Sequence, residues 1–201
     1  MTADRQKWYM YVRDAKNREE VWLLDQIEAM ELDDTAFRSR DYVVAVDEET
    51  NAKAGFGRLR VHKTDEDDVV EFNGVGVLKE WREQGVGAHV VERLVGHASD
   101  QGFETAYALT DEPGYLAQFG FRRIDDEELP EKLRERLAEQ RDGIAPDAVP
   151  VRLQLDRFRM PERLRDRFKN AQECREPDDE TSPEEFGIDP DSATYKYDTG
   201  R

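Results

Sequence analysis

Arg82-Glu83-Gln84-Gly85-Val86-Gly87-Ala88 joins an apolar run, Val69 to Leu78, to an amphipathic one, Val86 to Ala98. The order reads as strand, glycine-tightened turn, helix. Amide N–H groups in the first turn of a helix have no intrahelical partner and point outward. With the positive end of the helix dipole they make a site for phosphate or pyrophosphate. Gly85 and Gly87 keep the backbone bare there, since a Cβ would stand between loop and phosphate. The turn therefore predicts a bound anionic cofactor held by the backbone of Gln84, Gly85, Val86, Gly87 and Ala88, with Arg82 adding a charge-assisted contact.

On the N-terminal side, Trp8 to Val12 reads as a first strand. Asn17 followed by Glu20 resembles a capping box and opens a helix predicted to bury Val21, Leu24, Ile27 and Ala29 or Met30. Tyr42 to Val46 is a strand too apolar to be one-faced, and Ala54 to His62 pairs with it as a hairpin. Val69 to Leu78 is the fourth strand, interrupted by Gly74 and Gly76, where glycine marks a bulge or a close backbone approach. Val86, Val90, Val91, Leu94, Val95 and Ala98 recur at helical spacing. On the C-terminal side follow a strand (Phe103 to Leu109), a short helix (Tyr115 to Phe119), a strand start (Phe121 to Ile124), a charged helix (Leu129 to Gln140) and a last strand (Val149 to Leu155). Pro161 opens a final helix toward Cys174. The helix between strands four and five argues for a parallel pair there, and the hairpins for antiparallel pairs before it. The expectation is a mixed α/β fold with helices on both faces of one sheet. Residues 159–201 form a C-terminal helix and an acidic tail outside the main domain, 1–158.

Composition narrows the function. The formal net charge is −17 over 201 residues, and of 30 basic residues 22 are Arg and 8 are Lys. Such a surface argues against nucleic acid, whose phosphates need a basic face. It suits a protein working in concentrated salt, where the Debye length falls to about 3 Å at 1 M and self-repulsion is screened. No run approaches the roughly 20 apolar residues of a membrane span, and the N-terminus lacks the apolar core of a signal peptide. Cys174 is alone, and His62, His89 and His97 lack metal-motif spacing, so neither a disulfide nor a metal is expected. The expected location is cytoplasmic.

Element order and turn together resemble the GNAT superfamily of acyl-CoA-dependent N-acyltransferases over roughly Trp8 to Leu155. Arg82-x-x-Gly85-x-Gly87-Ala88 matches its pyrophosphate loop. Tyr115-Leu116-Ala117-Gln118-Phe119-Gly120-Phe121 looks like the helix and Gly-Phe turn closing the acyl-CoA site. The acidic composition makes the chain look like a halophilic archaeal member. The resemblance implies a mostly antiparallel sheet with a splayed parallel pair in the middle, and acetyl-CoA as acyl donor without a metal. It also implies that backbone from Val75, Gly76 and Val77 hydrogen-bonds the pantetheine arm, with one N–H near the thioester oxygen.

The acceptor amine must be neutral to attack, so a base is useful, directly or through one water. Glu71 lies 11 residues before Arg82, where the histone-acetylating branch keeps its base glutamate. Alternation places it on one face with Val69, Asn73 and Val75 unless the bulge intervenes. For the leaving thiolate, many members use a Tyr four residues before the Gly of Gly-Phe. That position is Leu116 here, and Tyr115 stands one step, about 100°, away. Between the first helix and strand two, Arg38 and Arg40 are available to hold an acceptor carboxylate, which hints at an amino acid. Glu127 to Pro130 looks like N-acetylglutamate synthase-type sequences. The acceptor is thus expected to be a small-molecule amine. Protein Lys or N-terminal amines, or a non-catalytic acyl-CoA-binding module, are the alternatives. A homodimer is compatible with the sequence.

Overall fold

The computed structural model describes residues 10–173. Trp8, Tyr9, Cys174 and the tail beyond it lie outside the described residues. Twelve elements follow one another as β1 (Met10–Asp14), α1 (Glu20–Ala29), β2 (Tyr42–Asp47), β3 (Lys53–His62), β4 (Val69–Val77), α2 (Val86–Asp100), β5 (Thr105–Thr110), α3 (Pro113–Ala117), β6 (Arg122–Arg123), α4 (Glu131–Asp142), β7 (Val149–Gln154) and α5 (Glu162–Lys169). The order is the one expected. Seven strands form one sheet in the order β1-β2-β3-β4-β5-β7-β6. Only β4 and β5 run parallel, and their register holds for just two pairs, Val70 with Ala106 and Glu71 with Tyr107. Among the described residues no helix is long and apolar enough to cross a membrane.

The two faces of the sheet are covered differently. On one, α2 lays Val90, Val91, Leu94 and Ala98 onto Leu59, Val70, Phe72 and Ala106. Leu94 and Val90 are fully buried, and each such side chain contributes about 1.5–3 kcal/mol. Leu164 and Phe168 of α5 join this same core. This helix, which the sequence reading puts in 159–201, thus packs against residues of 1–158.

The other face carries two separate apolar clusters. Leu23 and Ile27 of α1 pack on Tyr42, Val44, Val46 and Phe56. Leu133 and Leu137 of α4 pack with Ile124, Leu129 and Ala148. A buried polar band that includes Arg58, Glu71, Asn73 and Arg136 runs between them.

Two local expectations are corrected, and the expected glycine bulge is located. The apolar phase of α1 is rotated: Leu23 is buried, while Val21 is 70% and Leu24 37% exposed. The capping bond forms one residue earlier, with the Lys16 N–H donating to the Glu19 carboxylate at 2.8 Å. Finally, Phe56 stands opposite Gly76 but Arg58 opposite Asn73, so β4 carries one extra residue. Gly74, at φ +57°, makes that bulge, a left-handed conformation that suits glycine. The bulge turns Val75 over to the α2 face, where it packs on the core, and leaves Glu71 and Asn73 on the opposite face.

Candidate active site

Where α2 begins, Gly85 sits at the N-cap with φ +78°, and no side chain caps the helix. The amides of the first turn open onto a cleft of about 1160 Å³. Arg82, Gly85, Val86 and Gly87 line its mouth. Ala88 is fully buried. The Gln84 amide is clasped to backbone, donating to Gln172 O at 2.7 Å and accepting from Gln172 N at 2.8 Å. The two glycines are needed for reasons absent from the sequence reading. A Cβ on Gly85 would collide with the Leu164 carbonyl of α5, and one on Gly87 would lie 2.8 Å from the Tyr115 hydroxyl. Close packing of the protein against the turn, not only room for a phosphate, excludes side chains there.

Past Glu71 and Tyr107 the parallel strands separate. The edge of β4 facing β5 then has no ladder partner, and backbone polar groups left in that state seek another partner. The cleft occupies this split. Val75, Gly76 and Val77 line it from β4, and Ala108, Leu109 and Thr110 from β5. Arg82 closes the turn by donating from Nε to Val77 O at 3.3 Å.

Tyr115 of α3 reaches into the cleft beside Gly87 and meets Phe119 edge-on, with centroids 5.4 Å apart. Burial pushes its hydroxyl up to about 12, so it remains a proton donor at neutral pH.

The far end of the cleft is polar. Asp33, Asn73 and Gln140 line it, beside Met30, Leu32 and Ile144. Asp33 accepts from the Arg136 guanidinium, from Asn73 Nδ2 at 3.1 Å and from the Thr35 N–H at 3.0 Å. Burial opposes ionisation of its carboxyl. The bonds from Thr35 and Asn73 and the Arg136 charge outweigh burial and hold it down at about 2. Asp33 is thus an anion at any ordinary pH. Gln140 is 7% exposed, and its Oε1 is buried without a hydrogen-bond partner.

Glu71 lies one layer behind this wall. It is 1% exposed and does not line the cleft. His62 Nε2 is 2.6 Å from its Oε2, and Arg136 Nε 3.9 Å. Asn73, next on the same face, separates it from the cavity. Cross-strand pairing puts Arg58 opposite Asn73 and Arg60 opposite Glu71, which completes the polar band between the α1 and α4 clusters.

Arg38 and Arg40 are not brought to the cleft. Arg38 is 53% exposed and pairs with Asp41 at 3.1 Å, and Arg40 is exposed. Arg58 turns inward instead. It is 1% exposed and donates to Thr35 O at 2.9 Å and Ala36 O at 2.6 Å, which pins the loop that carries Asp33. The sequence reading missed Asp33, Asn73, Arg136 and Gln140 as wall or support residues, and Arg163 and Arg167 of α5, which line the mouth. The available signal was the pairing of Arg58 and Arg60 with Asn73 and Glu71 across the hairpin. Among the described residues no group of three or more His, Cys, Asp or Glu side chains is arranged to hold a metal ion.

Residues 6–121 match the acetyltransferase (GNAT) family. A 65-residue segment is 29% identical to an uncharacterised N-acetyltransferase of Chlorobaculum tepidum, covering 32% of this chain and 42% of that one. Among solved structures, N-acetylglutamate synthase of Neisseria gonorrhoeae, in complex with coenzyme A and N-acetyl-glutamate, superposes with a TM-score of 0.62 at 16% identity. That match covers 74% of this chain but 36% of the synthase. A Mycobacterium tuberculosis protein in complex with CoA gives 0.57 at 18% identity, covering 72% and 98%. An Arabidopsis thaliana protein bound to the bisubstrate analogue CoA-Ac-MVNAL gives 0.52 at 15%, covering 72% and 98%. The chain thus spans less than half the length of both the curated relative and the synthase.

Proposed function

Because the chain belongs to the GNAT acetyltransferase family, we propose that it transfers an acetyl group from acetyl-CoA to the amine of a small molecule, an amino acid being the favoured class, by direct attack in a ternary complex. One observation carries the reading. A single cleft joins an uncapped helix start, suited to a diphosphate, to a split between β4 and β5 that offers free strand edge to a pantetheine arm, and ends at a polar, amide-lined wall.

The roles follow from position. The first-turn amides of α2 and Arg82 hold the diphosphate. A backbone N–H between Val75 and Val77 donates to the thioester oxygen as negative charge develops on it. The acceptor arrives as an ammonium at Gln140, whose buried Oε1 lacks a hydrogen-bond partner. Asp33 beside it is paired with Arg136 and is too weak a base to deprotonate the ammonium. Glu71, set behind Asn73 and joined to His62, takes that proton through one intervening water. The amine nitrogen then bonds to the acetyl carbon and the carbon–sulfur bond breaks. The electron pair leaves on sulfur, Tyr115 protonates it, and the second proton shed by the attacking nitrogen returns to Tyr115 through water. The solved relatives with CoA and an acetylated amino acid or a peptide-like analogue support the donor, and leave small amines and peptide amines as the two acceptor classes.

The test is release of free CoA thiol from acetyl-CoA mixed with pooled amino acids, polyamines or peptides. Acceptor-dependent release with the amino-acid pool, above hydrolysis, supports the proposal. Release with peptides alone moves the acceptor to protein amines. Binding of acetyl-CoA with no acceptor-dependent release makes the chain an acyl-CoA-binding module.

A further inference from the structure

We propose that Arg163 and Arg167 of α5 join Arg82 in a guanidinium clamp on the phosphate groups of the CoA donor, so that the donor site extends into the C-terminal helix, beyond the residues matched to the family. The inference rests on the donor assignment above and adds a phosphate subsite to it.

The first argument is charge. In a chain of net charge −17, eight of the 19 described arginines pair with a carboxylate. Arg13 takes Glu19, Arg93 takes Asp14, Arg136 takes Asp33, Arg141 takes Asp126 and Arg165 takes Glu92. The three at the cleft mouth do not. Arg82 donates to Val77 O, Arg163 to Gln118 Oε1 at 2.7 Å and Arg167 to Glu83 O at 3.3 Å. All three acceptors are neutral, and each arginine commits one of its five N–H donors. Among the described residues none of the three is neutralised by a direct ion pair, and all three line one cavity, which Glu31, Asp33, Glu83, Asp111 and Glu112 also line.

The second argument is placement. Arg163 and Arg167 stand four residues apart and share a helix face, whereas Arg165 points away to Glu92. Two like charges at that spacing oppose each other and the helix; a polyanion between them reverses the sign. The helix also lies across the mouth. Its residue 163 reaches toward α3 at Gln118, its residue 167 toward the turn at Glu83, and the Leu164 carbonyl between them abuts Gly85. The two guanidiniums thus flank the N-cap where the diphosphate docks.

The third argument is rigidity. Phe168 stacks on His89 of α2 with centroids 3.8 Å apart and planes 8° apart, Leu164 is in the core, and Gln84 clasps Gln172. Side chains on so fixed a support lose little on binding, and guanidinium forks match phosphate oxygens in pairs. Coenzyme A carries a diphosphate and a ribose phosphate, enough for three arginines.

Titration calorimetry of the full chain with CoA, dephospho-CoA and desulfo-CoA tests this, beside turnover of acetyl-pantetheine, which has no nucleotide. In R163A/R167A the CoA Kd should rise on the order of 10- to 100-fold, while R165A stays within twofold of wild type. A smaller rise for dephospho-CoA than for CoA places the pair on the ribose phosphate; equal rises place it on the diphosphate. Acetyl-pantetheine turnover should not change. R163K/R167K should recover part of the loss. If alanine loosens α5, as read from the unfolding midpoint, R163Q/R167Q keeps side-chain bulk and carries the same expectation. A CoA Kd within twofold of wild type in a folded variant overturns the clamp alone. Absence of CoA binding by the wild-type chain overturns the donor assignment as well.

Discussion

Gly85 and Gly87 stand two residues apart in one turn, yet a methyl group at each meets a different obstacle. At Gly85 the obstacle is backbone, the Leu164 carbonyl, and φ is +78°. Neither can yield without moving α5. Gly85→Ala should therefore lose about 2–4 kcal/mol in chemical denaturation, from left-handed strain plus overpacking. At Gly87 the main obstacle is the tip of Tyr115, with the next ring atom at 3.7 Å, and a Val77 methyl stands at 3.3 Å. A side-chain tip can swing aside, so Gly87→Ala should change stability by less than about 1 kcal/mol but displace the hydroxyl and slow turnover. In a Tyr115→Phe background the same alanine should have no further effect on rate. Additive rate losses would mean that Gly87 serves the cofactor and not the tyrosine. For Glu71, the proposed proton acceptor, Glu71→Gln should cut kcat by roughly 10²–10⁴-fold and leave the CoA Kd unchanged, because Glu71 lies behind the polar wall and far from the turn. An unaltered kcat removes Glu71 from the chemistry.

At the scale of elements, α1 shows what a sequence reveals and what it withholds. Val21, Trp22, Leu23, Leu24 and Ile27 crowd its first two turns, so more than one helical phase looks apolar. The sheet decides: Tyr42 and Phe56 receive Leu23 and Ile27. Leu23→Ala should cost about 2–5 kcal/mol and Val21→Ala less than about 0.5 kcal/mol in thermal or denaturant unfolding; equal costs would restore the other phase. Local signals were legible. The strand–turn–helix at 82–88, the glycine bulge of β4 and the parallel pair around it follow from residue types and short spacings. Contacts across long separations were not. Asp33 and Arg136 are 103 residues apart, and which of 22 arginines turn inward is set by topology. In α5 only Leu164 and Phe168 mark an apolar stripe, too narrow to announce a docked helix. Two of the buried bonds leave a pH signature. Hydrogen bonding to the Arg13 guanidinium, against burial, holds Glu19 at about 2, and Asp33 also sits at about 2. Both are depressed relative to the unfolded chain, so their stabilisation is full above about pH 4.5 and is lost as pH falls toward 2. Each is worth on the order of 2–3 kcal/mol. Unfolding free energy should drop across that interval, and Glu19→Gln should flatten part of the drop. A wild-type profile that is flat from pH 5 to 2 would contradict both carboxylates.

For the whole molecule, the question is how a chain of net charge −17 would bind the polyanionic donor proposed for it. The two opposing fields have different ranges. The acidic surface acts from a distance and repels coenzyme A, whereas the helix start and the arginines at the mouth act at hydrogen-bond contact. Added salt separates them, because the Debye length shrinks from about 30 Å at 0.01 M to about 3 Å at 1 M. Far repulsion is screened first, and contacts in a partly enclosed cleft persist. Acetyl-CoA affinity should therefore rise with KCl from 0.01 M toward 1 M. The gain should sit in the association rate, since steering is a long-range effect, while dissociation, governed by the contacts, changes little. Stopped-flow binding across the KCl series, with circular dichroism confirming a native fold at every point, decides the sign. An association rate that falls steadily with salt would mean the cationic mouth controls encounter even at long range, and the acidic surface would then need a purpose other than function in concentrated salt.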